Sequence, residues 1–144
     1  MSKTAIKRYF TRNTRVDLLD KCSSYEDSYL LSDSYSIIKV NDKNDLEETS
    51  EAMGANIRKL FNDFESMQLS DLTINVDIKS KEDFIPINNK FSIGMKLLKR
   101  IYNIIKFDKI EIVESISNWE VTPIIKATNT KTNELAYLLP ARRF

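Results

Sequence analysis

The stretch "FSIGMKLLKRIYNIIKFDKIEIVES", residues 91–115, changes its period partway along, and that change sets the fold class. From Ser92 to Phe107 apolar residues recur every three or four positions, which predicts a helix over 92–107 with Ser92 as its N-cap. "KIEIVES" (109–115) then reads as a strand. On the helix, Leu97, Leu98, Ile101, Ile104 and Ile105 share one side, while Lys96, Lys99, Arg100, Asn103 and Lys106 step along the other. No acidic residue lies between Ile87 and Phe107, so this basic stripe lacks the i,i+4 carboxylates that neutralise a solvent-facing helix. It fits a surface that meets phosphates, and it also fits an ordinary solvated helix face.

Working outward, "WEVTPIIKAT" (119–128) and "ELAYLLP" (134–140) read as two further strands joined by the polar turn "NTKTN". Upstream, "LTINVDI" (72–78) alternates like a half-buried antiparallel strand, and "DFIPI" reads as a short edge strand because Pro86 cannot donate to a ladder. "NDLEETSEAMGANIRKLFNDFESM" (44–67) predicts an acidic helix capped by Asn44 or Asp45, with Leu46, Met53, Ile57, Leu60, Phe61 and Phe64 as its apolar stripe. "SYLLSDSYSIIKV" (28–40) predicts a hairpin hinged on Ser32-Asp33-Ser34, with Tyr35 and Ile37 on one face. "TRNTRVDLLDKC" (11–22) predicts a short helix after Thr14, carrying Val16, Leu18, Leu19 and Cys22. Together these elements predict an α+β fold of antiparallel sheets with helices on one face and an extra acidic helix.

Composition removes several function classes. The 144 residues are 42% hydrophobic and 30% charged, the balance of a single domain, 1–144, with a real core. One cysteine, Cys22, and no histidine leave no internal disulfide and no Cys-His metal or nucleophile arrangement, so no metal site and no cofactor are expected. Two glycines, Gly54 and Gly94, build neither a phosphate-binding loop nor a dinucleotide fingerprint. No catalytic pair of carboxylates stands in register, and a non-enzymatic role is expected. No apolar run reaches the length of a membrane span and "MSKTAIKRYF" has no apolar core behind its charges, so a cytoplasmic location without membrane contact is expected.

The net charge of +1 conceals an asymmetry. Residues 1–24 hold six basic and two acidic groups, residues 25–71 four and eleven, and residues 72–144 twelve and eight. An acidic middle between basic ends is the pattern of two separate faces, one attracting and one repelling a polyanion, or of an unevenly solvated surface.

Three stretches carry a family resemblance. "AYLLPARRF" resembles the last strand of the bacterial DNA sliding clamp family, in which a Tyr-containing apolar strand runs into an aliphatic-Pro-aliphatic-Arg sequence, here Leu139, Pro140, Ala141 and Arg142. "FSIGMKLLKRIYNIIKFDKIEIVES" is similar to the clamp segment of short lead, Leu/Lys-rich helix and strand. "SYLLSDSYSIIKV" is similar to the family's strand-turn-strand, with Asp33 at the turn and Ser34 where the family has glycine. The likeness covers 91–144 and, more loosely, 11–40, while 41–70 has no counterpart. It implies clamp-like βαβββ halves of about 1–78 and 79–144, and a ring assembled from several copies. It also implies non-specific contact with double-stranded DNA through Arg12, Arg15, Lys96, Lys99, Arg100 and Lys106. A docking groove for replication proteins would be bordered by Leu139, Pro140 and Arg142.

A second reading comes from the small, Lys/Asn/Ile-rich, histidine-free character of the chain, which suits a phage or mobile-element protein. Its acidic block, with Glu47, Glu48 and Glu51, would then mimic phosphates and occupy a host nucleic-acid-processing or defence protein as an inhibitor. Asp33 reads as a turn former before a metal ligand, and Trp119 as a core or interface anchor before a base-stacking platform.

Overall fold

The computed structural model describes residues 3–10, 15–72, 74–117 and 120–143, with Ser117 described by its backbone alone. Helix α1 (Lys3–Tyr9) and a 3-10 turn (Val16–Leu18) precede three antiparallel strands, β1 (Lys21–Tyr25), β2 (Ser28–Ser32) and β3 (Ser36–Val40). Two-residue strands β4 (Glu47–Glu48) and β5 (Gln68–Leu69) flank helix α2 (Glu51–Glu65). Strands β6 (Phe84–Pro86) and β7 (Phe91–Gly94), helix α3 (Met95–Ile105) and strands β8 (Lys109–Ser117), β9 (Glu120–Thr128), β10 (Leu135–Leu138) and β11 (Ala141–Arg142) complete the order.

The fold is α+β. Eight strands form one sheet in the order β4-β1-β2-β3-β10-β9-β8-β5, and β11-β7-β6 form a small second sheet. Pairing is antiparallel throughout except between β1 and β4. β10 joins the N-terminal strands through β3, where Ala136 faces Ile38 and Tyr137 faces Ile37.

Alternation along each strand divides the core between the two faces of the large sheet. Leu31, Ile38, Ile112, Ile125, Ala127, Ala136 and Leu138 point to a layer that holds α1 and α3, with Ile6, Tyr9, Leu98, Ile101 and Ile105 buried against them. Their sequence neighbours Leu30, Ile37, Val113, Ile124, Leu135 and Tyr137 point the opposite way, to Ile57, Phe61 and Phe64 of α2. The acidic helix is therefore the one on the far face. Gly54 lets it approach β1 closely, since a Cβ there would stand 3.1 Å from Ser23 Oγ.

Boundaries depart from the sequence expectation in several places. The first helix is Lys3–Tyr9; at 15–22 the chain makes only the 3-10 turn and enters β1, so Cys22 is a buried strand residue and Val16 is 84% exposed. Thr14, expected as that helix's cap, lies outside the described residues, as does Trp119. α2 starts later than expected because Ser50, not Asn44 or Asp45, caps it, its Oγ accepting from the Met53 N–H at 3.2 Å. Leu46 accordingly packs with the α1/α3 layer, and Leu60 is exposed. Ser92 is buried in β7, and α3 begins at Met95, whose N–H is taken by the Asp83 carbonyl at 2.9 Å.

The other end of α3 and the last strands are secured by side chains. Lys106 takes a left-handed conformation (φ 47°), and the orphan carbonyls of Ile105 and Lys106 accept from Asn129 Nδ2 at 2.8 and 3.2 Å. Asn129 belongs to the "NTKTN" turn, so that turn closes the β9–β10 hairpin and caps the helix together. β10 sits between β3 and β9 in the sheet interior. Its register with β9 places Leu138 opposite Ile125, and two positions further Pro140 would face Pro123. Neither proline has an N–H, so the ladder stops there and the chain crosses to β11 against β7.

Candidate nucleic-acid interface

α1 and α3 pack side by side on one sheet face. With Ala5, Ile6 and Tyr9 turned inward, α1 presents Lys3, Lys7 and Arg8 to solvent. α3 presents Lys96, Asn103 and, at its cap, Lys106 as exposed groups, with Lys99 and Arg100 half-buried on its flanks. Neither helix contains an Asp or Glu. Among the described residues Lys7, Arg8 and Lys96 form no ion pair, while Lys3 is paired with Asp45 at 2.7 Å.

The flanking cations have partners. Lys99 Nζ donates to the Ser80 carbonyl, and Lys106 Nζ stands 4.9 Å from the centre of the Tyr102 ring. Asp33, in the β2–β3 turn, is buried in a polar cluster within reach of the Arg100 charge. Asp33 Oδ1 accepts from the Tyr35 N–H at 2.8 Å and from Ser36 Oγ at 2.9 Å. The Tyr9 hydroxyl in turn accepts from the Asp33 N–H at 2.9 Å, tying α1 to the turn. Burial pushes the Asp33 carboxyl above its ordinary pKa, against these hydrogen bonds and the Arg100 charge, which favour its anion. Asp33 is the turn former its position predicts.

Of the expected DNA-facing residues, Lys96, Lys99 and Arg100 share α3 and Lys106 is its C-cap. Arg12 lies outside the described residues. Arg15 does not belong to the first helix: it precedes the 3-10 turn and pairs with Asp17 at 2.7 Å. The basic side chains that α1 does supply, Lys7 and Arg8, were missed because the helix is only seven residues long. Their signal was present as Ala5, Ile6 and Tyr9 at helical spacing between cations.

Among the acidic candidates, Glu47 and Glu48 form β4 and Glu51 opens α2. Lys21 holds Glu47 at 2.6 Å and depresses its pKa through that hydrogen bond, and Ser24 Oγ donates to Glu48. Glu51 stays exposed at the positive end of the α2 dipole.

The 138–143 segment is stitched into the fold. Leu139 is exposed, but its N–H donates to the Tyr35 carbonyl at 2.9 Å. Arg142 pairs with Glu120 at 3.0 Å and lies 5.1 Å from the Phe91 ring centre, while Arg143 Nη1 donates to the Asn88 carbonyl at 2.7 Å. Among the described residues no three His, Cys, Asp or Glu side chains converge to hold a metal, and no helix is long and apolar enough to cross a membrane. No family model matches this chain, and neither a curated protein nor a solved structure matches it.

Proposed function

We propose that this chain is a sliding-clamp-like DNA replication accessory protein of a phage or mobile element, acting in the cytoplasm without catalysis. The observation that carries the reading is the pair of helices α1 and α3, which contain no acid and hold Lys7, Arg8 and Lys96 outward with no ion pair among the described residues. Cations on a regular helical layer neutralise backbone phosphates without reaching base edges, which gives salt-dependent and sequence-independent binding to double-stranded DNA. The repeated order of a helix followed by three antiparallel strands, α1-β1-β2-β3 and α3-β8-β9-β10, supports the clamp-like reading, as does the edge-to-edge junction of β3 with β10. The strand β7 ahead of α3 gives the second part the full βαβββ order.

In this reading several copies surround the duplex, and other replication proteins dock near Leu139, Pro140 and Arg142. The inhibitor reading has less support, because Glu47 and Glu48 already have partners within the chain. Light scattering with and without duplex DNA tests the proposal. A mass of several copies, retained or increased on DNA, is expected; a monomer in both conditions would overturn the ring.

A further inference from the structure

Among the described residues the buried polar side chains have partners, with one exception. Ser23, Ser32, Asp33 and Ser36 are each hydrogen-bonded within the chain. Ser92 is 4% exposed, and its hydroxyl has no partner among the described residues. A hydroxyl kept from water without a hydrogen bond carries a penalty that a bound donor or acceptor removes.

The register of the small sheet places that hydroxyl. Ile85 and Ile93 face each other and pack toward the α1/α3 core, and Phe91 shares their side, against Arg142. Alternation turns Phe84, Pro86, Ser92, Gly94 and Ala141 to the opposite, outer face. The Arg143 N–H donates to the Lys90 carbonyl at 2.7 Å, which continues the β11–β7 pairing and brings Lys90 and Arg143 to one end of that face. All of these positions are described, and none is a carboxylate. Of the nearest acids in the chain, Glu82 precedes Phe84 at the end away from Lys90, and Asp83 falls on the inner side by the same alternation.

Phe84 is 56% exposed and stands opposite Gly94. A Cβ at Gly94 would meet no atom within 4 Å, so the sheet surface beside the Phe84 ring is bare. Ser92 is the diagonal neighbour of Phe84, at about 7–8 Å for such a pair. Lys90 lies one further step of about 7 Å along the strand.

We propose that this outer face holds an unpaired base of single-stranded DNA. The base stacks on the Phe84 ring over the bare strip at Gly94, its edge meets the Ser92 hydroxyl, and its phosphate lies toward Lys90 and Arg143. Lys90 is exposed and has no carboxylate partner among the described residues. Arg143 gives one N–H to the Asn88 carbonyl at 2.7 Å, which holds its charge in place without neutralising it. The cationic end favours a nucleotide over an apolar peptide, which would leave both charges unmatched. This site is separate from the α1/α3 face and does not depend on duplex binding.

The test is fluorescence anisotropy of a fluorescein-labelled decathymidylate with the full chain at moderate salt, beside a labelled duplex of equal length. Phe84→Ala should weaken decathymidylate about tenfold, the loss of one stacked base, and leave duplex affinity unchanged, whereas Phe84→Tyr should keep the parent affinity. Ser92→Ala should weaken decathymidylate about threefold without lowering the unfolding midpoint, since the hydroxyl makes no bond within the described chain. Lys7→Glu/Arg8→Glu should do the reverse of Phe84→Ala, lowering duplex affinity and sparing decathymidylate, so this proposal and the duplex reading fail separately. Ultraviolet cross-linking should attach thymine within residues 84–94. Four results would each overturn the site: decathymidylate affinity unchanged in Phe84→Ala; a lowered midpoint in Ser92→Ala; cross-links confined to α1 and the helical part of α3; or thymidine monophosphate bound as tightly as the decamer, which would make a free nucleotide the occupant.

Discussion

The two faces of the large sheet are held by different chemistry, and the difference decides which charges remain free. On the α1/α3 face the contact is mostly aliphatic, with Leu98, Ile101 and Ile105 meeting Ile38, Ile112, Ile125 and Leu138. On the α2 face it is aromatic and cross-linked by polar side chains. Phe61 and Phe64 pack on Tyr137 with ring centres 5.7 and 5.2 Å apart. The Tyr137 hydroxyl donates to Glu65, Tyr25 donates to Asn62 at 2.7 Å, and Arg58 donates to Ser23 at 2.8 Å. Burial and the Glu65 carboxylate push the Tyr137 pKa well upward, so that hydroxyl stays a donor at any ordinary pH. Polar groups of α2 thus turn inward to fix the helix, whereas α1 and α3 are seated mainly by apolar packing, helped by the Tyr9 hydroxyl and the Asn129 cap, and Lys7, Arg8 and Lys96 stay outward.

That contrast can be broken in order of expected effect. Deleting 138–144 removes the end of an interior strand and the whole of β11, and cooperative thermal unfolding should disappear; an unchanged melt would refute the packed role of the segment. Phe61→Ala should destabilise the chain by about 3–5 kcal/mol in urea unfolding, since Phe61 is fully buried, while the folded fraction keeps its DNA affinity. Lys96→Glu/Lys99→Glu/Arg100→Glu should do the converse, lowering DNA affinity about a hundredfold, or about 2.8 kcal/mol, with a smaller change in melting.

A smaller effect concerns Asp33. Its folded pKa is raised, so its contribution to stability is fully present below the ordinary carboxylate pKa and is lost as pH rises through the folded value. Urea midpoints measured across mildly acidic pH should therefore fall less steeply with rising pH in Asp33→Asn than in the parent chain. The smallest change belongs to Arg142→Ala, which removes a half-exposed ion pair with Glu120 and should cost less than about 1 kcal/mol.

Much of this architecture was legible in the residues, and the gaps have physical causes. The β2–β3 hairpin, α2 and the β8–β9–β10 meander follow from their hydrophobic periods because each buries one regular stripe. The 11–22 helix failed because the spacing of Val16, Leu18, Leu19 and Cys22 was coincidental: Leu18 packs on the α2 side and Cys22 on the other. The strand expected at 72–78 does not form among the described residues of that stretch because alternation reports one-sided burial, which Ile74, Val76 and Ile78 achieve by packing against the core. For the candidate site, the basic stripe on α3 was readable from its missing acids. The half-burial of Lys99 was not, since it depends on Ser80 arriving from a distant position.

The central claim is that the α1/α3 face meets DNA phosphates without reading bases. Its most direct test is fluorescence anisotropy on two unrelated duplexes of equal length across a salt series, with the parent chain and the Lys96→Glu/Lys99→Glu/Arg100→Glu variant. Equal affinities for the two duplexes are expected, falling steeply with salt in the parent and much less in the variant. Absence of binding at low salt, or a salt slope unchanged by the three reversals, would contradict the account.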